Sequence, residues 1–101
     1  SYIVNGKRLA LAMHGESGPE IRLISVKGED LGIIPVKDEI TNIVYNDGVI
    51  GVNCKRKALF LHENGKVKAE YSTSAEITNI FLFNNGQALV VMVNGIVVLD
   101  F

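Results

Sequence analysis

The sequence predicts an all-β protein built from tandem four-stranded antiparallel units. Three observations carry that reading. Turn signals recur about every ten residues, short runs of strand-forming residues lie between them, and a pentapeptide recurs 37 residues downstream of itself. Of the ten glycines, five follow Asn or Asp, at Asn5-Gly6, Asp47-Gly48, Asn64-Gly65, Asn85-Gly86 and Asn94-Gly95. Such pairs supply the positive φ angles of tight hairpins, because Gly has no Cβ to clash and Asn or Asp tolerates the left-handed region. Between them stand runs rich in Val, Ile, Phe and Tyr, which fit a pleated surface. No segment combines helical length with caps.

The repeat orders these strands. Glu39-Ile40-Thr41-Asn42-Ile43 reappears as Glu76-Ile77-Thr78-Asn79-Ile80, and Asn46-Asp47-Gly48 matches Asn84-Asn85-Gly86 after one inserted residue. A step of 37 residues backwards sets Gly28 under Gly65 and Ile21–Ser25 under the strand Ala58–His62. A rival register pairs Val4–Arg8 with Val52–Arg56. The first unit then holds strands Tyr2–Asn5, Arg8–His14, Ile21–Val26 and Leu31–Val36. The middle unit holds Ile40–Asn46, Val49–Asn53, Ala58–Glu63 and Val67–Thr73. The last holds Ile77–Phe83, Ala88–Val93 and Ile96–Phe101, and lacks a fourth. The chain thus reads as a single repeat domain, 1–101, with units 1–37, 38–74 and 75–101. Four-stranded sheets repeating at about 40 residues are the signature of a β-propeller blade. A two-sheet sandwich, with the repeat as a duplicated hairpin pair, is the less favoured reading.

Asn64–Thr73 followed by Ile77–Ile80 resembles the quinoprotein-like (PQQ-type) propeller repeat, in which a Gly-Lys-Val turn leads into an outer strand, a loop and the inner strand of the next blade. Val90–Asp100 looks like that family's second and third strands around their hairpin, and at the level of pattern it is also similar to WD-repeat blades. The sequence departs from the quinoprotein pattern in having no Trp, and His62 stands where that repeat usually has Asp. The resemblance implies propeller architecture and a scaffold role more than quinone chemistry.

Composition sets the outer limits. A chain of 101 residues fits one domain, and 48% hydrophobic residues exclude disorder. Ten basic against eleven acidic residues leave a net charge of −1. That balance gives no whole-chain attraction for nucleic acid or an anionic membrane. Cys54 is the only cysteine, so an internal disulfide is excluded. The longest apolar run, Ala88–Val93, is six residues, far below the ~20 that span a bilayer. The opening residues do not read as a secretory signal, and a start at Ser1 suggests processing or excision from a longer chain. A lone cysteine leans towards the cytoplasm and the quinoprotein-like resemblance towards the bacterial envelope; the compartment stays open.

The repeat carries physical expectations. A blade buries only part of its apolar surface, so blades must stack. The first strand of each, Ile77–Phe83 included, is expected to be covered on both faces, and the fourth, such as Lys66–Tyr71, to be half exposed. Propellers have ~4–8 blades. Three would leave both end faces apolar and open, to be closed by another copy, further chain or a partner, and Ile96–Phe101 offers an open edge. Alternating strand direction sorts the loops onto two rims. One carries Asn5-Gly6, Lys27–Asp30, Asn46–Gly48, Asn64-Gly65 and Asn84–Gly86. The other carries the longer loops Gly15–Glu20, Lys37–Glu39, Cys54–Lys57, Ser72–Ala75 and Asn94-Gly95.

A binding surface is expected on that second rim, at Lys37, Lys55, Arg56, Lys57, Ser72 and Ser74, since variable loops on a rigid scaffold carry function. The competing reading is that these are solvated hairpin residues. Cys54 and His62 stand about eight residues apart along one strand, too far for a nucleophile–base dyad. His14 and His62 lack metal-ligand spacing, and Glu16/Glu20 and Glu29/Asp30 match no calcium loop. Lys55-Arg56-Lys57 has no interleaved aromatics for nucleic acid. No catalytic residue, cofactor site or metal site is expected. The sequence reads as a non-enzymatic protein-interaction or scaffold module, completed by a protein partner or by self-association. The alternative is a fragment of a larger propeller enzyme or carbohydrate-binding propeller.

Overall fold

A computed structural model describes residues 2–101. Eleven strands succeed one another, and no helix occurs among the described residues. They are β1 (Tyr2–Asn5), β2 (Arg8–Gly15), β3 (Gly18–Ser25), β4 (Asp30–Pro35), β5 (Asn42–Asn46), β6 (Val49–Asn53), β7 (Lys57–His62), β8 (Val67–Ser72), β9 (Ile77–Asn84), β10 (Gln87–Met92) and β11 (Gly95–Asp100). They form three antiparallel meanders in the orders β1-β2-β3-β4, β5-β6-β7-β8 and β11-β10-β9. The first strands are neighbours, β1 beside β5 and β5 beside β9, as around the axis of a propeller. The chain is therefore all-β and a partial β-propeller, with two four-stranded blades and a third of three strands. The sandwich reading fails, since the sheets number three and stack in series.

Local chemistry explains the turns. Asp47 and Gly48 join β5 to β6 with φ of 51° and 76°, the two positive angles that a type I′ turn demands. Gly28 and Gly65, 37 residues apart, share one role. Their φ angles are 86° and 93°. In the first turn Ser25 N donates to Glu29 O, and in the second His62 N donates to Lys66 O, both at 2.9 Å. A bulge comes after Leu23 in one sheet and after Phe60 in the other. These matches place the first blade in the 37-residue register and dispose of the rival pairing: Gly6 turns between first and second strands, whereas Cys54 lies between second and third.

Two apolar layers hold the stack. Ala10, Ile21, Leu23 and Ile34 of the first sheet meet Ile43, Tyr45, Ile50, Val52 and Leu61 of the second. The opposite face of the second sheet, with Val49, Ala58 and Phe60, meets Ile77, Ile80, Ala88 and Val90 of the third. Because side chains alternate along a strand, β6 feeds both layers, and all five of its residues are buried. Asn53 is the polar member. Its Nδ2 donates to Ile77 O at 3.2 Å, and its Oδ1 accepts from Lys55 N at 2.8 Å. It thereby ties the Lys55 turn, strained at φ 75°, to the start of the next blade.

Several expectations change. β9 is not covered on both faces: Phe81 is 46% and Phe83 54% exposed, because no sheet of this chain lies over the third. Gly15–Glu20 is not a long loop. Gly15 pairs with Gly18, which leaves a two-residue turn at Glu16-Ser17. The first strand of the middle blade starts at Asn42, not Ile40, although Ile40 still packs into the first layer as Ile77 packs into the second. The last hairpin turns on Val93-Asn94, with Gly95 already paired to Met92.

Candidate functional site

The second rim gathers most of the residues that the sequence singles out. Ile77 N donates to Lys55 O and Thr73 N to Arg56 O, at 2.6 and 2.9 Å. The 73–76 linker therefore lies along the Cys54–Arg56 turn, with Ser72 and Ser74 exposed beside it. Lys57 Nζ reaches Asp38 at 3.0 Å and Glu70 at 3.1 Å, which brings the neighbouring Lys37 to the same rim. Both hydrogen bonds raise the Lys57 pKa, the one to Asp38 most. Lys57 is thus committed internally. Lys37, Lys55 and Arg56 are exposed, and none has an ion-pair partner among the described residues. Lys7, Lys27 and Lys66 lie exposed on the opposite rim, in the turns after β1, β3 and β7.

Cys54 and His62 stand at opposite ends of β7, on either side of Lys57–Leu61. Cys54 is half-buried, and burial pushes its thiol up to about 11, with Asp38 adding to the rise and Lys57 opposing it. A thiol so placed is protonated at neutral pH and is a poor nucleophile. His62 lies at the far end of β7, exposed. His14 Nε2 stands 2.8 Å from Glu39 Oε2, and both side chains are well exposed. A shallow cleft beside it is lined by Met13, His14, Glu16, Glu20 and Arg22. Arg22 pairs with Glu20 at 3.3 Å, and its Nε is buried without a hydrogen-bond partner among the described residues. Glu29 and Asp30 are exposed where the chain leaves the turn after β3 and enters β4. No group of three His, Cys, Asp or Glu side chains converges as a metal site among the described residues.

Two polar devices escape sequence reasoning, and both join blades. Asn46 Nδ2 donates to Leu82 O at 2.9 Å and Phe83 O at 3.2 Å, and Asn85 N donates to Asp47 Oδ2 at 3.1 Å. The reappearance of Asn46 as Asn84 in the repeat is the available signal. On the same rim, Arg8 of the first blade meets Glu63 of the second at 2.7 Å, and the Tyr45 hydroxyl donates to the same carboxylate. Burial first, then the Glu63 hydrogen bond, pushes Tyr45 up to about 12. The Tyr45 hydrogen bond, then Arg8, holds Glu63 below the ordinary carboxylate range against its own burial. A depressed carboxylate stabilises the fold above its unfolded pKa and loses that contribution as pH falls through the folded value. Glu63→Gln is therefore expected to cost about 1 kcal/mol at pH 7, a modest value because the pair is partly exposed. Urea midpoints of wild type and variant should differ at pH 7 and converge as the pH falls through the lowered folded value of Glu63. A gap that persists at low pH contradicts the ion pair.

The fold is shared with solved propellers. The chain superposes on BBS1N, solved in complex with ARL6DN, with a TM-score of 0.76 at 15% identity over 99% of this chain and 36% of that one. It superposes on Hsv2 of Kluyvelomyces marxianus with a TM-score of 0.72 at 12% identity, over 100% and 34%. BamB from Moraxella catarrhalis gives 0.69 at 18% identity, over 99% and 30%. The chain thus spans about a third of the length of these β-propeller proteins. No family model matches the chain, and no curated protein matches it. Fold and neighbours together define the class as β-propeller.

Proposed function

We propose that this chain is a non-enzymatic protein-interaction module of the β-propeller type, and that Lys37, Lys55 and Arg56 present its contact surface to an acidic segment of a protein partner. One observation carries the reading: these three cations stand outward on one rim without ion-pair partners among the described residues, while Lys57 between them is held by Asp38 and Glu70. The turn that bears two of them is fixed by backbone hydrogen bonds from Thr73 and Ile77, so little backbone freedom is lost on binding. The complex of BBS1N with ARL6DN supports an interaction role for a propeller of this shape. The rival role, as part of a propeller enzyme or carbohydrate binder, depends on residues outside this chain.

The test uses a fluorescent polyglutamate peptide. The chain should bind it with an affinity that falls as salt rises, since exposed charges are screened. Lys55→Glu with Arg56→Glu should weaken binding at least about tenfold, a change worth ~1.4 kcal/mol. Lys7→Glu with Lys27→Glu on the opposite rim should leave it unchanged. Equal losses from both pairs, or no binding, would overturn the proposal.

A further inference from the structure

The middle blade shows what each face of a blade does when it is covered, and the two outer blades each lack one cover. In the middle blade Gly51 pairs with Phe60 and Asn53 with Ala58, and this forward face is buried beneath the third sheet. In the third blade the same places are held by Leu89 opposite Val98 and Val91 opposite Ile96, with Phe81 beside Leu89 on β9. Phe60 is 0% exposed, whereas Val98, its counterpart, is 58% and Ile96 is 62% exposed. An apolar patch of this kind marks an interaction site.

The first blade is bare on its other side. Leu9 pairs with Ile24 as Ile50 pairs with Leu61 in the middle blade. Leu11 holds the place of Val52, next to Arg22. Ile50, Val52 and Leu61 are buried against the first sheet. Leu9, Leu11 and Ile24 have no sheet behind them and are only half-buried. One chain thus carries both halves of the joint it already makes twice internally.

A polar grip repeats with the faces. Asn46, at the end of β5, binds carbonyls near the end of the next blade's first strand. Asn84 ends β9 in the equivalent place. Its Oδ1 accepts from Gly86 N, and its Nδ2 has no acceptor among the described residues.

We infer that the forward face of the third blade docks on the back face of the first blade of a second copy, and reciprocally, so that two chains close a six-bladed ring. A second copy is the occupant because this chain supplies the matching apolar face and the first-strand carbonyls that Asn84 would grip. Two copies of this three-bladed stretch supply six blades, within the ~4–8 of natural propellers, whereas three copies would exceed it. The joint forms twice about a two-fold axis, which makes the assembly closed. This surface is separate from the basic rim.

Sedimentation equilibrium of the 101-residue chain at tens of micromolar should give twice the chain mass. Val98→Glu on the forward face and Leu9→Glu on the back face should each raise the dimer Kd roughly a hundredfold, since either change puts a charge into both joints. Circular dichroism checks that each variant keeps its sheets. If Leu9→Glu does not fold, Leu9→Gln and Ile24→Gln serve in its place. Mixing the forward and back variants should restore a dimer, because one of its two joints is then wild type on both sides. Arg56→Glu should leave the dimer intact, which separates this inference from the rim reading. A monomeric wild type, a back-face variant that still dimerises, or polymers that grow with concentration would each overturn it.

Discussion

Phe60→Ala is expected to lower stability by about 3–5 kcal/mol, the usual cost of deleting a fully buried aromatic ring. A domain of this size has only ~5–15 kcal/mol in hand, so the variant should sit close to unfolding at room temperature. The size of the effect reflects where the ring lies. Phe60 belongs to β7 of the middle blade, pairs with Gly51 and Ala69, and has no exposed surface. Its neighbour across the ladder is a glycine, so the ring fills space that no other side chain of that pair can fill. Its face stacks on Phe101, with centroids 4.7 Å apart and planes tilted by 31°, and Lys68 Nζ lies 6.0 Å from the Phe101 centroid on that ring's side. Truncation therefore opens a cavity between blades and releases the last residue of the chain together. Phe60→Leu, which keeps most of the volume, should recover the greater part of the loss. Urea unfolding monitored by far-ultraviolet circular dichroism reads both variants. A loss under about 1 kcal/mol for the alanine would mean that the third blade is not docked on the second in solution.

Much of this architecture is legible in the sequence because it is written in local chemistry. Asp47-Gly48 announces a type I′ turn, and Val49–Asn53 between two turns can only be a short strand. The recurrence of Glu39–Ile43 at Glu76–Ile80 ties blade to blade before any contact is known. The limits of legibility are equally physical. Nothing in Gly15–Glu20 distinguishes a loose loop from a two-residue turn, since Glu16 and Ser17 suit either. The exposure of Phe81 and Phe83 depends on whether another sheet covers the third, which no local pattern encodes. Loop position alone singles out the rim residues Lys37, Lys55, Arg56, Lys57, Ser72 and Ser74, whose loops are linked by Ile77 N to Lys55 O, Thr73 N to Arg56 O and Lys57 to Asp38. The commitment of Lys57 to Asp38 and Glu70 is a long-range pairing that the Lys55-Arg56-Lys57 trio does not reveal. Asn53 reads as one more strand residue, and only its buried contacts to Ile77 and Lys55 show it as the stitch between blades.

Gly51 gives the sharpest test of that dependence on context. Its φ is not in the left-handed region, so the backbone would accept any residue. Space forbids it. A Cβ built there stands 2.7 Å from Val44 Cγ2, 3.4 Å from Phe60 Cε1 and 3.6 Å from Ile80 Cγ2. The first contact is shorter than real Cβ atoms show, and the β-branched Val44 is stiff at χ1 and has little room to retreat. Gly51→Ala should therefore cost about 1–3 kcal/mol through overpacking. Gly51→Leu should cost more, because the added carbons reach Ile80 across the joint and push the third blade away. The corresponding position in the third blade already is a leucine, Leu89, and it is accommodated there because no sheet lies over it. The same residue in the same place of a blade is thus expected to be harmless in one sheet and disruptive in the next. Hydrogen exchange resolves the effect by region. In Gly51→Leu, amides of β9, β10 and β11 should lose protection while those of β2 and β3 keep theirs, since the first layer of the core does not touch position 51. Uniform loss of protection would mean that the three blades unfold as one unit. Unchanged protection would mean that the second and third sheets stand further apart than the contacts of Gly51 require.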